Sequence, residues 1–92
     1  MEFQSYDECV ARKNEFIIWN GLGVNEREVF CGMSVFKYGS GGFLFRWFVD
    51  GRLHRLDGPA YIKRGYTVWY CFGGYVNVRS QAEFEEWLVN SS

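Results

Sequence analysis

Proline and cysteine are scarce in this chain of 92 residues. It has a single proline and three widely spaced cysteines, Cys9, Cys31 and Cys71. An odd number of distant cysteines does not suit the paired framework of a disulfide-rich domain, so we expect reduced and mostly buried thiols. None of them shows the short paired spacing of a zinc knuckle. The sequence therefore predicts neither a metal site nor a cofactor.

Residues that perform catalysis are equally scarce. The only histidine, His54, has Asp57 as its nearest acid, and no serine or cysteine stands in a nucleophile-like context. General acid–base and nucleophilic catalysis both need a second group held beside the histidine. The glycine-rich segment 39–42 lacks the lysine and the helix that follow a phosphate-binding loop. We therefore expect a binding protein and not an enzyme.

A strong net charge and a long apolar run are also missing. The net charge is −1, which argues against nucleic-acid binding driven by overall charge. Residues 1–15 lack the apolar centre of a secretory signal, and no stretch reaches the ~18 apolar residues of a membrane span. These absences favour a cytoplasmic protein without a membrane contact. Charge is nevertheless uneven, because residues 46–64 hold five basic and only two acidic side chains.

Aromatic residues are abundant instead. They make up 21% of the chain, as 9 Phe, 6 Tyr and 4 Trp. Full burial of one such side chain stabilises a fold by roughly 1.5–3 kcal/mol, so a single small domain can form a core without disulfides. A domain of this size still leaves much of its surface in water. The rings therefore fit two interpretations, a strand-rich core and a contact surface.

The hydrophobic pattern predicts an α+β fold, a mainly antiparallel sheet of stacked hairpins with a helix at each end. Residues 1–92 form one domain, with a short helix within 1–14, an antiparallel meander over 15–78 and a helix over 80–90. Ser5 and Glu8 have capping-box spacing, as do Ser80 and Glu83. The first box predicts a helix over 6–13. In the second helix Phe84, Trp87 and Leu88 form an apolar stripe that should cover the sheet.

Tight-turn dipeptides divide the central part of the chain into strands. Asn20-Gly21 is a strong tight-turn dipeptide, and Asp50-Gly51 is a type I′ hairpin signal. We expect strands over 16–19, 28–38, 43–49, 52–56, 60–63 and 67–72. A weak repeat runs through this part, since Trp47-Phe48-x-x-Gly51 recurs 22 residues later as Trp69-Tyr70-x-x-Gly73. The repeat indicates one hairpin unit used twice.

Residues 47–60 read Trp-Phe-Val-Asp-Gly-Arg-Leu-His-Arg-Leu-Asp-Gly-Pro-Ala. This segment resembles a repeat of small bacteriophage and bacterial proteins, which reads approximately Trp-Tyr-x-x-Gly-x-x-His-Arg-x-Asp-Gly-Pro-Ala. There a further Gly and the next Trp-Tyr follow, as Gly65 and Trp69-Tyr70 do here. The similarity covers about residues 46–76. It implies MORN-like hairpin repeats with one complete copy, since residues 75–78 replace the His-Arg-x-Asp core in the second unit.

Physically, the motif is typical of a chain reversal. Glycines can take a positive φ, Asp57 can accept backbone N–H groups or pair with Arg55, and His54 can donate to a nearby carbonyl. We assign a structural role in turns to Asp50, Gly51, Asp57, Gly58 and Pro59. Because Trp, Tyr and Arg contribute most to interface energies, we predict a partner-binding face formed by Trp47, Arg52, His54, Arg55, Trp69 and Tyr70.

The resulting hypothesis is a small protein-binding module, encoded by a phage and acting in the host cytoplasm as an inhibitor or modulator of a host defence protein. Its partner would be a host or phage protein, and spare rings and sheet edges also allow a homodimer. One alternative is a nucleotide or small-molecule sponge, in which the basic stretch clamps phosphates and a ring stacks on a base. Another is single-stranded nucleic-acid binding through stacked rings, which the net acidity disfavours.

Overall fold

The computed structural model describes residues 3–18 and 31–91 of the chain. In these two ranges the α+β fold predicted from the sequence is confirmed, with two α-helices and seven strands. The helices are α1 (Tyr6–Ala11), which is followed by a 3-10 turn at Lys13–Glu15, and α2 (Gln81–Ser91). The strands are β1 (Ile17–Ile18), β2 (Gly32–Lys37), β3 (Phe43–Val49), β4 (Arg52–Leu53), β5 (Tyr61–Lys63), β6 (Tyr66–Cys71) and β7 (Gly74–Val76).

The strands form a sheet in the order β1-β2-β3-β5-β6-β7, and β4 pairs with the end of β3. From β2 onward every pairing is antiparallel, as predicted, whereas β1 runs parallel to β2. The predicted Asn20-Gly21 turn and the start of the predicted strand 28–38 lie outside the described residues. No helix in the described part of the chain is both long and apolar enough to cross a bilayer.

Both capping boxes form as the sequence predicts. In α1 the Glu8 N–H donates to Ser5 Oγ at 3.3 Å, and Glu8 Oε1 accepts from the backbone N–H of Gln4 at 3.0 Å. In α2 the Glu83 N–H donates to Ser80 Oγ at 3.2 Å. Each cap satisfies helix N–H groups that have no partner within the helix.

The two copies of the internal repeat form two hairpins with the same turn geometry. The first tip has Asp50 at φ 52° and Gly51 at φ 75°, and the second has Phe72 at φ 49° and Gly73 at φ 83°. Two consecutive positive φ angles define a type I′ turn, whose twist matches that of paired strands. We call these turns the first tip and the second tip, and both lie at the same end of the sheet because β3 and β6 run in the same direction.

The sheet packs against two hydrophobic clusters. The first lies beneath the N-terminal segment and includes Phe3, Cys9, Phe16, Phe45, Trp47 and Ile62. The second lies beneath α2, where Phe84 packs against Trp69 and Val76, with Leu88 at its edge. The predicted helix stripe is corrected at Trp87, which stacks on Phe84 at 5.9 Å but stays 37% exposed. The helix therefore covers β6 and β7 with Phe84 and Leu88.

Candidate protein-contact surface

Arg55 lies inside the protein, where it joins the N-terminal segment to the loop after β4. Only 5% of its surface is exposed. Its Nη1 donates to the carbonyl oxygens of Phe3 at 2.7 Å and Pro59 at 3.0 Å, and its Nε donates to Asp57 Oδ1 at 2.9 Å. Arg55 thus uses its donors on groups of the fold itself. Its predicted role in partner binding is corrected to a structural one.

The Arg55 guanidinium is enclosed by Trp47 and Gly58. Its central carbon lies 4.1 Å from the centroid of the Trp47 ring, a cation–π contact. On another side it lies so near Gly58 that a Cβ there would clash with Arg55 Cζ. Gly58 does not use the positive φ that glycine allows, whereas Gly51 does. Gly58 is glycine because the guanidinium needs the space of a side chain.

Burial shapes the electrostatics of this region. It lowers the pKa of Arg55, while the hydrogen bond and charge of Asp57 act in the opposite direction. An arginine keeps its proton under such conditions, so a buried cation remains beside two carbonyl oxygens and one carboxylate. Asp57 is the solvent-facing partner, with 73% of its side chain exposed. The predicted Arg55–Asp57 pair is thus confirmed.

His54 points away from this interior and towards the second tip. Its Nδ1 accepts a hydrogen bond from the backbone N–H of Phe72 at 2.9 Å, and its ring stacks on the Phe72 ring at 4.1 Å. The predicted donation from His54 to a carbonyl is therefore wrong in direction. His54 holds Phe72 by its backbone and by its ring at once.

The second tip gathers exposed rings and one arginine. Phe72 is 66% exposed and Tyr75 is 63% exposed. The Tyr75 ring meets that of its cross-strand neighbour Tyr70 at 6.1 Å, edge to face. The aliphatic part of Arg52 covers the backbone of Gly73, since a Cβ at Gly73 would stand 3.5 Å from Arg52 Cβ. We define the second-tip patch as Arg52, His54, Tyr70, Phe72 and Tyr75.

The predicted contact residues therefore divide into two groups. Arg52, His54 and Tyr70 belong to the second-tip patch. Trp47 and Trp69 are only 8% and 6% exposed, and their placement on an exposed face is corrected. The physical reason is that other side chains cover both rings: Phe3, Phe16 and Arg55 cover Trp47, and Phe84 covers Trp69.

Phe72 and Tyr75 were missed from the sequence, although a signal for Phe72 exists. The offset of 22 residues that superposes the two Trp-aromatic pairs also places Phe72 on Asp50. The first tip has the Asp-Gly dipeptide that type I′ turns favour, whereas the second tip has an aromatic residue where the backbone must take a positive φ. A bulky residue in that conformation is uncommon. An unfavourable residue at a turn indicates a use other than turning.

Two observations bear on metal and thiol chemistry in the described ranges. No group of three or more His, Cys, Asp or Glu side chains within residues 3–18 and 31–91 could hold a metal ion. Burial raises the pKa of the Cys9 thiol to about 12, so this thiol stays protonated and is a poor nucleophile. The distinctive feature of the site is its exposed rings.

Comparison with known proteins adds no relative, because no family model, no curated protein and no solved structure matches this chain.

Proposed function

We propose that the chain is a non-enzymatic protein-binding module that contacts its partner through the second-tip patch. The observation that supports this most strongly is Phe72, a ring 66% exposed on a backbone at φ 49°. Left-handed backbone costs an L-residue about 1–2 kcal/mol relative to the ordinary conformations. Such strain persists where the surroundings impose it, and it clusters at functional sites.

The patch has the composition and rigidity of an interface centre. Aromatic residues and arginine contribute most of the energy in protein contacts. His54 fixes Phe72 through the backbone hydrogen bond and the ring stack before any partner arrives. Rigid rings lose little conformational entropy on binding, so preorganisation of this kind favours affinity.

The partner that we propose is a host protein, and the module would act on it as an inhibitor or modulator in the host cytoplasm. This part rests on the resemblance of residues 46–76 to hairpin repeats of small bacteriophage and bacterial proteins, and on the lack of a catalytic constellation in the sequence. A MORN-like origin of the two hairpins belongs to the same proposal.

Affinity purification from a bacterial host lysate tests the proposal when it is done with three tagged proteins in parallel. The first is the wild type, the second carries Phe72→Asn with Tyr75→Thr, and the third carries Tyr66→Thr. Tyr66 is a matched control, because it is a 54% exposed ring on the same hairpin at the other end of β6. We expect one stoichiometric partner with the wild type and the control, and its loss with the tip variant.

Equal recovery of that partner by all three proteins would place the contact elsewhere. Sedimentation of the purified wild type distinguishes a second copy of this chain from a foreign partner. A homodimer that the tip variant dissociates would assign the patch to self-association and overturn the proposal of a host target.

A further inference from the structure

An open groove of about 440 Å³ lies at the end of the sheet opposite the two tips. The β2–β3 turn and the β5–β6 turn meet there, because β5 ends beside the start of β3. The α1 helix contributes its first residue to the wall. The described lining of the groove includes Tyr6, Tyr38, Ser40, Phe43, Lys63 and Arg64.

The charge in this groove has one sign. Lys63 and Arg64 are the charged residues of the described lining, and no acidic side chain is among them. In the part of the chain that the structure describes, neither takes part in an ion pair. Their cationic groups lie over rings instead, Lys63 Nζ at 5.7 Å from Tyr66 and Arg64 Cζ at 5.6 Å from Tyr6. Two adjacent cations without a carboxylate favour an anionic ligand with several oxygens, such as phosphate.

Aromatic side chains form the other walls of the groove. Tyr6 is fixed, because its hydroxyl accepts from the Phe43 backbone N–H at 3.1 Å and its ring meets Phe45 edge to face. Tyr38 packs edge to face on Phe36 at 5.4 Å and lines the groove as well. Flat rings beside cations suit a ligand that has a ring of its own next to its charge.

We infer that this groove binds a small ligand with a phosphate group on an aromatic or heteroaromatic unit, of the size of a nucleoside monophosphate. Lys63 and Arg64 would hold the phosphate, Ser40 would supply a hydroxyl donor, and Tyr38 would lie against the ring. The groove is at the opposite end of the sheet from the second-tip patch, so the inference is independent of the proposed protein contact.

Calorimetric titration of the purified chain with adenosine monophosphate tests the inference, with adenosine and inorganic phosphate as partial ligands. We expect the monophosphate to bind at least about tenfold more tightly than either part, because adenosine lacks the charged group and inorganic phosphate lacks the ring. Guanosine and uridine monophosphates in the same titration report whether the groove distinguishes one base from another. Binding should weaken as salt rises.

Three variants that each remove one positive charge test where the ligand binds. Lys63→Gln and Arg64→Gln change the groove, and Arg79→Gln is the control. Lys63 is half-buried, whereas Arg64 and Arg79 are exposed, so Arg64→Gln leaves the fold intact even if Lys63→Gln does not. We expect about tenfold weaker binding with Arg64→Gln and no change with Arg79→Gln. Absence of binding by all monophosphates at millimolar concentration, or equal weakening by Arg79→Gln, would overturn the inference. Inorganic phosphate that binds as tightly as the monophosphates would overturn its ring component.

Discussion

The two hairpins share a turn geometry and differ in what they place on it. At the first tip Asp50 and Gly51 have φ angles of 52° and 75°, and at the second tip Phe72 and Gly73 have 49° and 83°. Asp-Gly is a favoured dipeptide for this turn, because Asp tolerates the left-handed region and Gly has no Cβ. A Phe side chain does not favour the left-handed backbone of this turn. The difference indicates that the first tip serves to turn the chain, and that the second tip also serves to present a ring.

The hairpins differ again in how their buried tryptophans are held. Beside Trp47 the guanidinium of Arg55 reaches the carbonyl oxygens of Phe3 and Pro59. Beside Trp69, the indole Nε1–H donates to Gln81 Oε1 at 2.9 Å, and Gln81 Nε2 donates to the Leu56 carbonyl oxygen at 3.0 Å. We call Arg55 the charged anchor of the first hairpin and Gln81 the neutral anchor of the second.

Removal of the charged anchor should have the largest effect. We expect Arg55→Ala to lower the free energy of unfolding by about 3 kcal/mol, because two carbonyl oxygens lose a charged donor and Trp47 loses its cation. For a domain of this size that is a large share of a total of roughly 5–14 kcal/mol. Urea unfolding followed by tryptophan fluorescence measures the change.

Asp57→Asn is the control for the exposed side of the ion pair, and it should cost less than about 1 kcal/mol. A double-mutant cycle with Gly58→Ala sharpens the test, since the three atoms nearest to the added Cβ all belong to the Arg55 guanidinium. Gly58→Ala should therefore be strongly destabilising in the wild type and nearly neutral beside Arg55→Ala. Equal costs in both backgrounds would mean that Gly58 is needed for its backbone.

The neutral anchor should matter less. Gln81→Ala leaves the Trp69 indole N–H without its acceptor in a buried position, and we expect a loss of about 1–2 kcal/mol in the same unfolding experiment. Gln81→Glu keeps an acceptor for the indole and should cost less than Gln81→Ala. If the two substitutions cost the same, the bond to Leu56, and not the one to Trp69, is the important one.

An exchange of the tip residues tests the central comparison directly. Phe72→Asn should raise the free energy of unfolding by about 0.5 kcal/mol, because relief of about 1 kcal/mol of backbone strain exceeds the loss of an exposed ring stack. The reverse exchange, Asp50→Phe, should lower it by about 1 kcal/mol. A loss of stability with Phe72→Asn would show that the ring stabilises the hairpin, and the argument from strain to function would then fail.

Much of this fold could be predicted because its signals are local. The capping boxes at Ser5 and Ser80 and the Asp50-Gly51 turn depend on residues within four positions of each other, and each formed as predicted. The predicted strand 52–56 ends early, at Leu53, because Arg55 turns inward to contact Phe3. Phe3 and Arg55 are 52 residues apart, and no local pattern brings them together.

The candidate surface could be predicted only in part, for a related reason. The abundance of rings indicated that some would be exposed, but which ones depends on what covers each face of the sheet. Trp47 and Trp69 have the composition of interface residues and are nevertheless covered by segments from the two ends of the chain. Phe72 escapes coverage because it sits on a turn. The type of a ring indicates whether it could contribute to a protein contact, whereas the topology of the fold determines whether that ring is exposed.

The smallest expected effect concerns the helix that covers the first unit. Glu8 accepts backbone N–H groups at the start of α1, and these hydrogen bonds lower its pKa from the usual 4.5 or so. A carboxyl with a lower pKa in the folded state stabilises the fold above its unfolded pKa, and that stabilisation is lost as the pH falls through the folded pKa. We expect wild-type stability to fall between about pH 5 and pH 3 by about 0.5 kcal/mol more than that of Glu8→Gln. Glu86→Gln, which removes an exposed carboxylate outside the cap, should leave the wild-type slope in place, and an equal flattening by both variants would assign the slope to net charge.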